Sequence, residues 1–212
     1  MPAALLACAI PTGYGSAARR ANVREGDTVV VVGAGGIGTA AVQGARINGA
    51  SCIVAVEPVE FKRTAATRFG ATHAAASAQE ATALVRELTR GAMADSAILT
   101  PAAITADDIA DGLALTRKGG TCGLTGMPSR SIGPINVNVQ EFILMNKNLC
   151  GTVFGSCNPR SDIAMLAGLY QSGDLWLDEM VTKRYRLDEI NDAYTDLING
   201  ELIRGVIDFG VS

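Results

Sequence analysis

The sequence predicts an α/β fold: a doubly wound parallel sheet with helices on both faces. Three observations carry that reading. Short valine-rich runs read as strands covered on both faces. Stretches with apolar residues at helical spacing separate them. A turn of four glycines in six residues, Gly33-Ala34-Gly35-Gly36-Ile37-Gly38, joins the first run to the first helical stretch. Repeated strand–helix alternation implies parallel strands joined by right-handed crossovers.

The elements follow in order. Thr28–Val32 is the first strand, Gly36–Ile47 the first sheet-covering helix, ended by Gly49, and Cys52–Val56 the second strand. Pro58 sits where proline suits a first helical position and opens a helix through Phe69, which Gly70 closes. Ala71–Ala75 predicts a short third strand, Gln79–Thr89 a helix, Ser96–Thr100 a strand and Ala106–Leu115 a helix. The Gly119-Gly120 turn leads into a strand over Thr121–Leu124. Beyond Gly126 the rhythm changes. Val139–Asn146 reads as helix, Leu149–Phe154 as strand, and Asp162–Tyr170 as helix after Asn158-Pro159. Leu187–Leu197 reads as a helix capped by Asp188 with Glu189 in its first turn, and Arg204–Phe209 as the last strand. The mixed-charge run Arg184–Asp192 reads as a solvated helix face.

Composition narrows the function classes. A chain of 212 residues, 48% hydrophobic and 18% charged, builds a real core rather than a disordered segment. A net charge of −3 leaves no basic footprint, so no nucleic-acid partner is expected. No apolar run is long enough to span a bilayer, and the apolar N-terminus lacks the positive region of a signal peptide, so no membrane partner is expected either. The cysteines Cys8, Cys52, Cys122, Cys150 and Cys157 form no CxxC pair, which speaks against a zinc ribbon or a thioredoxin-type motif. Their odd count fits a reducing cytoplasm, and four of them read as buried free thiols.

The glycine turn fits G-x-G-x-x-G between a strand and a helix, the context that the dinucleotide-binding (Rossmann) motif needs. Gly33 permits the tight turn, Gly35 lets the backbone approach a pyrophosphate, and Gly38 lets helix and strand pack closely. The helix start offers unpaired N–H groups to the phosphates. Glu57 ends the second strand, where a carboxylate accepts from both hydroxyls of an adenosine ribose and repels a 2′-phosphate. NAD is therefore expected over NADP, an expectation that nearby Lys62 and Arg63 weaken. The segments are then 1–25, an interdomain stretch and helix; 26–155, an NAD-binding domain; and 156–212, C-terminal helices with a returning strand.

Several separated motifs, in order, resemble the zinc-dependent medium-chain alcohol dehydrogenases. They are LLACAIPTGYGSA at 5–17, the glycine-turn region at 23–51, RFGATHA at 68–74, RKGGTCGLTG at 117–126, LCGTVFGS at 149–156, and the ending DEINDAYTDLINGELIRGVIDF. The resemblance implies roles. Cys8 matches a cysteine ligand of a catalytic zinc, a role that suits a thiolate. Thr12 matches a residue beside the nicotinamide ring. Gly33, Gly35, Gly36, Ile37 and Gly38 match the pyrophosphate turn, and Glu57 and Lys62 the ribose contacts, although the family more often has Asp at the first. Thr125 and Met127 match positions under the nicotinamide half, Phe154 a backbone contact to the carboxamide, and Arg204 an arginine that reaches the pyrophosphate. The strand near Val153 resembles the edge through which family members dimerise.

The sequence also departs from the family. Catalytic zinc keeps three protein ligands, and family members draw two of them from a preceding domain absent here. His73 is the only histidine and lies far from Cys8 in the family plan, and the four-cysteine structural zinc lobe is missing. Zinc is thus expected only if a missing domain or a partner supplies the other ligands. The segment around Cys8–Tyr14 is expected to expose apolar surface, and the chain reads as a truncated form. Two functions compete with a decayed remnant. One is an oxidoreductase acting on a small alcohol or aldehyde. The other is a non-catalytic NAD-binding module or dimerisation partner.

Overall fold

The structure, a computed structural model, describes residues 2–127, 133–135 and 137–210. Met1 and residues 211–212, the outer ends of the first and third predicted segments, lie outside them.

Six parallel strands form the main sheet: β1 Thr28–Val32, β2 Cys52–Val56, β3 His73–Ala75, β4 Ala94–Leu99, β5 Thr116–Leu124 and β6 Asn148–Gly151. Their spatial order is β3-β2-β1-β4-β5-β6, the doubly wound order that reverses direction beside β1. The valines of β1 explain its central place. Val29 and Val31 enter one apolar cluster, Val30 the other, so both faces are covered. Helices α1 Ala9–Gly15, α2 Gly36–Ile47, α3 Glu60–Arg68 and, from the C-terminal part, α7 Pro159–Gln171 accompany the first cluster. Helices α4 Ala78–Leu88 and α5 Ala106–Leu115 flank the sheet from the second side, with Ala81, Val85 and Leu115 packed under β1 and β2. The short α6 Val139–Leu144 precedes β6. A separate parallel pair, β7 Val181–Arg186 and β8 Arg204–Asp208, encloses α8 Ile190–Ile198 in sequence.

Several boundaries differ from expectation, each for a physical reason. The helix predicted from Pro58 to Phe69 runs over Glu60–Arg68, because the Val59 N–H donates to Glu57 Oε1 at 3.1 Å and holds the intervening residues extended. The strand predicted to Phe154 stops at Gly151, because Phe154, Gly155 and Ser156 turn left-handed at φ 55, 66 and 56. That turn is dictated from across the fold: a Cβ on Gly155 would lie 2.2 Å from the Pro11 carbonyl. The run Arg184–Asp192 is not one helix face; β7 ends at Arg186, a 3-10 turn covers Leu187–Glu189, and α8 starts at Ile190. Asp188 does not cap α8; its carboxylate accepts from Arg186 Nε at 2.9 Å, and Glu189 Oε2 accepts from the Arg186 N–H at 2.7 Å.

The N-terminal segment packs into the first apolar cluster through Leu5, Leu6, Ile10, Tyr14 and Ala17. All of α1 is buried, including Ile10 and Tyr14, so the expected exposed surface over Cys8–Tyr14 is limited to Cys8 itself. Its glycines let it approach α2 closely. A Cβ on Gly13 would sit 2.1 Å from the Ile37 carbonyl oxygen, and one on Gly44 would lie 3.0 Å from Tyr14 Cα. The cysteines depart from expectation as well: only Cys122 is buried, with Cys52, Cys150 and Cys157 half-buried. No described helix is long and apolar enough to cross a membrane.

Candidate functional site

The carboxyl ends of β1, β2, β4 and β5 meet where the strand order reverses, the place where open α/β sheets bind ligands. After β1 the chain turns through Gly33 at φ +88, a conformation that strains any side chain. A Cβ on Gly38 would lie 1.7 Å from the Gly33 carbonyl oxygen, so this glycine lets α2 start directly against the turn. Thr100 locks the arrangement: its Oγ1 lies 2.9 Å from the Val32 carbonyl oxygen and 2.8 Å from that of Gly33. Gly35 differs in kind. It precedes α2 at an ordinary φ of −70, and a Cβ there would have nothing within 4 Å. The space in front of it is open and faces the positive end of α2.

Arg204 closes one side of this space. A Cβ on Gly36 would overlap its guanidinium, 1.8 Å from Nε. The Arg204 Nε is buried and has no hydrogen-bond partner among the described residues. Burial pushes the Arg204 pKa below the ordinary arginine value, an effect that the Cys8 sulfur partly offsets. Arginine stays a cation all the same. A half-buried cation with a buried, unused donor, set against a helix N-terminus, is an arrangement that asks for an anion.

Glu57 anchors the other side. It is only 6% exposed, and the Ala34 N–H of the glycine turn donates to its Oε2 at 2.8 Å. Its carboxylate thus ties the turn to the end of β2 and still has lone pairs for further donors. Arg63 Nη1 donates to the Glu57 carbonyl at 2.7 Å and stays off the carboxylate. Lys62, on α3, reaches the turn after α8, where a Cβ on Gly200 would be 3.4 Å from its Nζ.

The α1 side gathers most of the remaining predicted residues. Thr12 is buried and its Oγ1 donates to the Cys8 carbonyl at 2.7 Å; Cys8 Sγ lies 3.9 Å from the same hydroxyl. Thr125, just past β5, donates to Ser16 Oγ at 3.0 Å, and Ser16 Oγ donates to the Thr12 carbonyl at 2.6 Å. The left-handed turn at Phe154 lies beneath Pro11 and Thr12. Met127, by contrast, stands 80% exposed. His73 lies on edge strand β3, its Nδ1 2.9 Å from Thr72 Oγ1 and 3.8 Å from Cys52 Sγ.

Two residues of this region are absent from the sequence reading. Ser16, which links Thr12 to Thr125, carried no signal beyond its place in TGYGS. Gln43 did carry one: it is a side-chain amide inside the small and apolar run Ala40–Ala45 of α2, and it is fully buried.

A dinucleotide pyrophosphate fits these residues: the orphaned Arg204 Nε supplies a donor and the open face of Gly35 supplies room. A catalytic zinc does not fit the described residues by themselves. They contain no group of three or more His, Cys, Asp or Glu side chains able to share a metal, and Cys8 stands exposed at the start of α1.

Comparison with known proteins agrees with this geometry. The zinc-binding dehydrogenase family profile matches residues 36–171, well over half of the chain. Alcohol dehydrogenase B of Mycobacterium tuberculosis is 47% identical over 205 residues, covering 97% of this chain and 55% of the relative. The NDMA-dependent alcohol dehydrogenase of Amycolatopsis methanolica is 48% identical, with 97% of this chain and 55% of the relative covered. Among solved structures, benzyl alcohol dehydrogenase from Acinetobacter calcoaceticus superposes with a TM-score of 0.89 at 30% identity, over 96% of this chain and 55% of that one. The chain spans about half the length of the curated relatives it matches. With the matched profile running from the start of α2 through β2, β4 and β5 to the end of α7, the chain belongs to the zinc-binding dehydrogenase family.

Proposed function

We propose that this chain binds NAD along the carboxyl edge of its sheet and serves an alcohol dehydrogenase-type oxidoreduction of a small alcohol or aldehyde. The observation that carries the proposal is half-buried Arg204, whose buried Nε is unpartnered among the described residues, against Gly36 at the start of α2. In this reading Arg204 and the α2 amides hold the pyrophosphate, and Glu57 accepts from the adenosine ribose. Thr12, Thr125 and the Phe154 turn border the nicotinamide half. Bound there, NAD would supply the acceptor for a hydride from the alcohol carbon, the hydroxyl proton passing to solvent as the carbonyl compound forms. This chain's residues bind and orient the cofactor; of the zinc ligands it offers Cys8, and other donors must come from outside the described residues.

The same observation about zinc favours a second reading, a cofactor-binding module that does no chemistry alone. Association of two copies through the open edge of β6 is supported by Val153, 88% exposed just beyond that strand. Five free thiols support a reducing, cytoplasmic setting. Calorimetric titration with NADH and NADPH tests the binding step. Saturable one-to-one binding with NADH preferred is expected; no heat at millimolar NADH removes the proposal. Turnover of primary alcohols with added zinc and NAD then separates the enzyme from the module.

A further inference from the structure

Arg204 belongs to β8, far along the chain from the helix it serves. Something must hold it in register with α2. The β7–β8 pair is only two strands wide, and such a pair is marginal by itself. Its attachment to α2 is therefore what fixes the guanidinium.

That attachment runs through Gln43. Gln43 sits seven residues after Gly36, about 10 Å further along the α2 axis. It is 0% exposed. Its Oε1 accepts from the Trp176 N–H at 2.8 Å, and its Nε2 donates to the Trp176 carbonyl at 3.1 Å and reaches Met180 Sδ at 3.4 Å. The two reciprocal bonds also fix which end of the amide is which. Trp176 lies in no helix or strand, so both its backbone groups depend on this side chain. Arg46, one turn on, places its guanidinium 4.3 Å above the Trp176 ring and donates to the Asp174 carbonyl. From Trp176 the path to Arg204 is short. Leu177 and Met180 are fully buried, and Val181 pairs with Arg204 in the β7–β8 ladder. The Thr182 hydroxyl accepts from the Ile203 N–H at 3.0 Å. One helix thus carries both the anion-facing terminus and the clamp.

We propose that Gln43 is a positioning residue for the pyrophosphate: by clamping the backbone of Trp176 it holds Arg204 over the N-terminus of α2. The proposal rests on the reading of Arg204 as the pyrophosphate cation. A fully buried amide is costly unless its bonds are made, and here they tie an irregular segment 133 residues distant to the cofactor helix.

The test is a double-variant cycle read with two probes, ADP-ribose, which carries the diphosphate, and adenosine, which does not. Arg204→Leu is expected to weaken ADP-ribose binding by at least ~tenfold, as removal of a charge-assisted bond does. Gln43→Met, of similar volume but without the bonds, is expected to weaken ADP-ribose about three- to tenfold and to leave adenosine within about twofold. Added to Arg204→Leu, it should cost less than about twofold more, because the two changes remove one interaction. If Arg204→Leu leaves ADP-ribose binding unchanged, the reading of Arg204 fails and the positioning role falls with it. If Arg204→Leu weakens binding but Gln43→Met does not, or if their effects multiply, the positioning role alone is overturned. Should Gln43→Met not fold, the native chain supplies the answer. Trp176 is its single tryptophan, so fluorescence and amide exchange over residues 174–182 report on the clamp directly. By reciprocity ADP-ribose, and not adenosine, must shift that emission and slow that exchange; no change with ADP-ribose overturns the proposal.

Discussion

Gly35→Ala and Gly38→Ala separate two kinds of glycine in one turn. At Gly38 the new Cβ would lie 1.7 Å from the Gly33 carbonyl oxygen and 2.7 Å from Thr100 Oγ1. Carbon meets a carbonyl oxygen comfortably at roughly 3.3–3.6 Å, so the helix start must retreat by about 1.6 Å or more. Overpacking of that kind costs about 1–3 kcal/mol. The retreat also pulls on the Thr100 bonds to Val32 and Gly33, and losing one costs about 1 kcal/mol more. Alanine's better helix propensity returns at most about 1 kcal/mol. The net loss expected for Gly38→Ala is about 1–3 kcal/mol in urea unfolding. Gly35→Ala meets nothing within 4 Å. Its small capping loss and the stiffer unfolded chain nearly cancel, so stability should stay within about 0.5 kcal/mol. Its Cβ instead projects into the space where a pyrophosphate must approach, and NADH binding should weaken at least ~tenfold, about 1.4 kcal/mol. Equal destabilisation by Gly35→Ala and Gly38→Ala, or a Gly35→Ala variant with both stability and NADH affinity unchanged, would refute this division of roles.

Further outcomes follow from the same contacts. Gly13→Ala puts a Cβ 2.1 Å from the Ile37 carbonyl and should open the α1–α2 packing at a cost of about 2–3 kcal/mol, read by thermal melting; an unchanged melting temperature would mean the helices can part freely. Glu57→Gln keeps the shape of the side chain but removes its charge, so the NADH-over-NADPH preference should shrink several-fold in paired titrations, and an unchanged preference would move cofactor choice elsewhere. Burial pushes the Cys122 thiol up to about 12 from an ordinary 9.0. An acid whose folded pKa is raised stabilises the fold fully below its unfolded value and loses that contribution as pH climbs from about 9 to about 12. Cys122→Ala should therefore show a flatter decline in stability over that window than the native chain; equal slopes would count against the burial argument.

The fold was readable where local and global preferences coincide. The residue limits of β1, α2, β2 and α5 match expectation because apolar period, turn glycines and caps all point one way there. Thr105 even forms a full capping box with Asp108. Reading failed where distant parts of the chain decide. The left-handed turn at Phe154–Ser156 is shaped by Pro11 and Gly15, and β7 exists only through pairing with β8. The tight turn at Gly33 and the close helix–strand packing at Gly38 were legible, since each glycine has a distinct steric reason. The burial of the Arg204 Nε was not, because nothing local to LIRGVIDF indicates which helix end it will face. Gln43 was visible as a polar residue within a small and apolar run, yet its partner lies in a segment that no periodicity marks.

The most direct test of the central claim is a crystal structure of this chain with NADH. The pyrophosphate is expected at the N-terminus of α2, in front of Gly35, accepting a hydrogen bond from Arg204 Nε. Density for the dinucleotide elsewhere, or at the turn with Arg204 Nε still unpartnered, would contradict it.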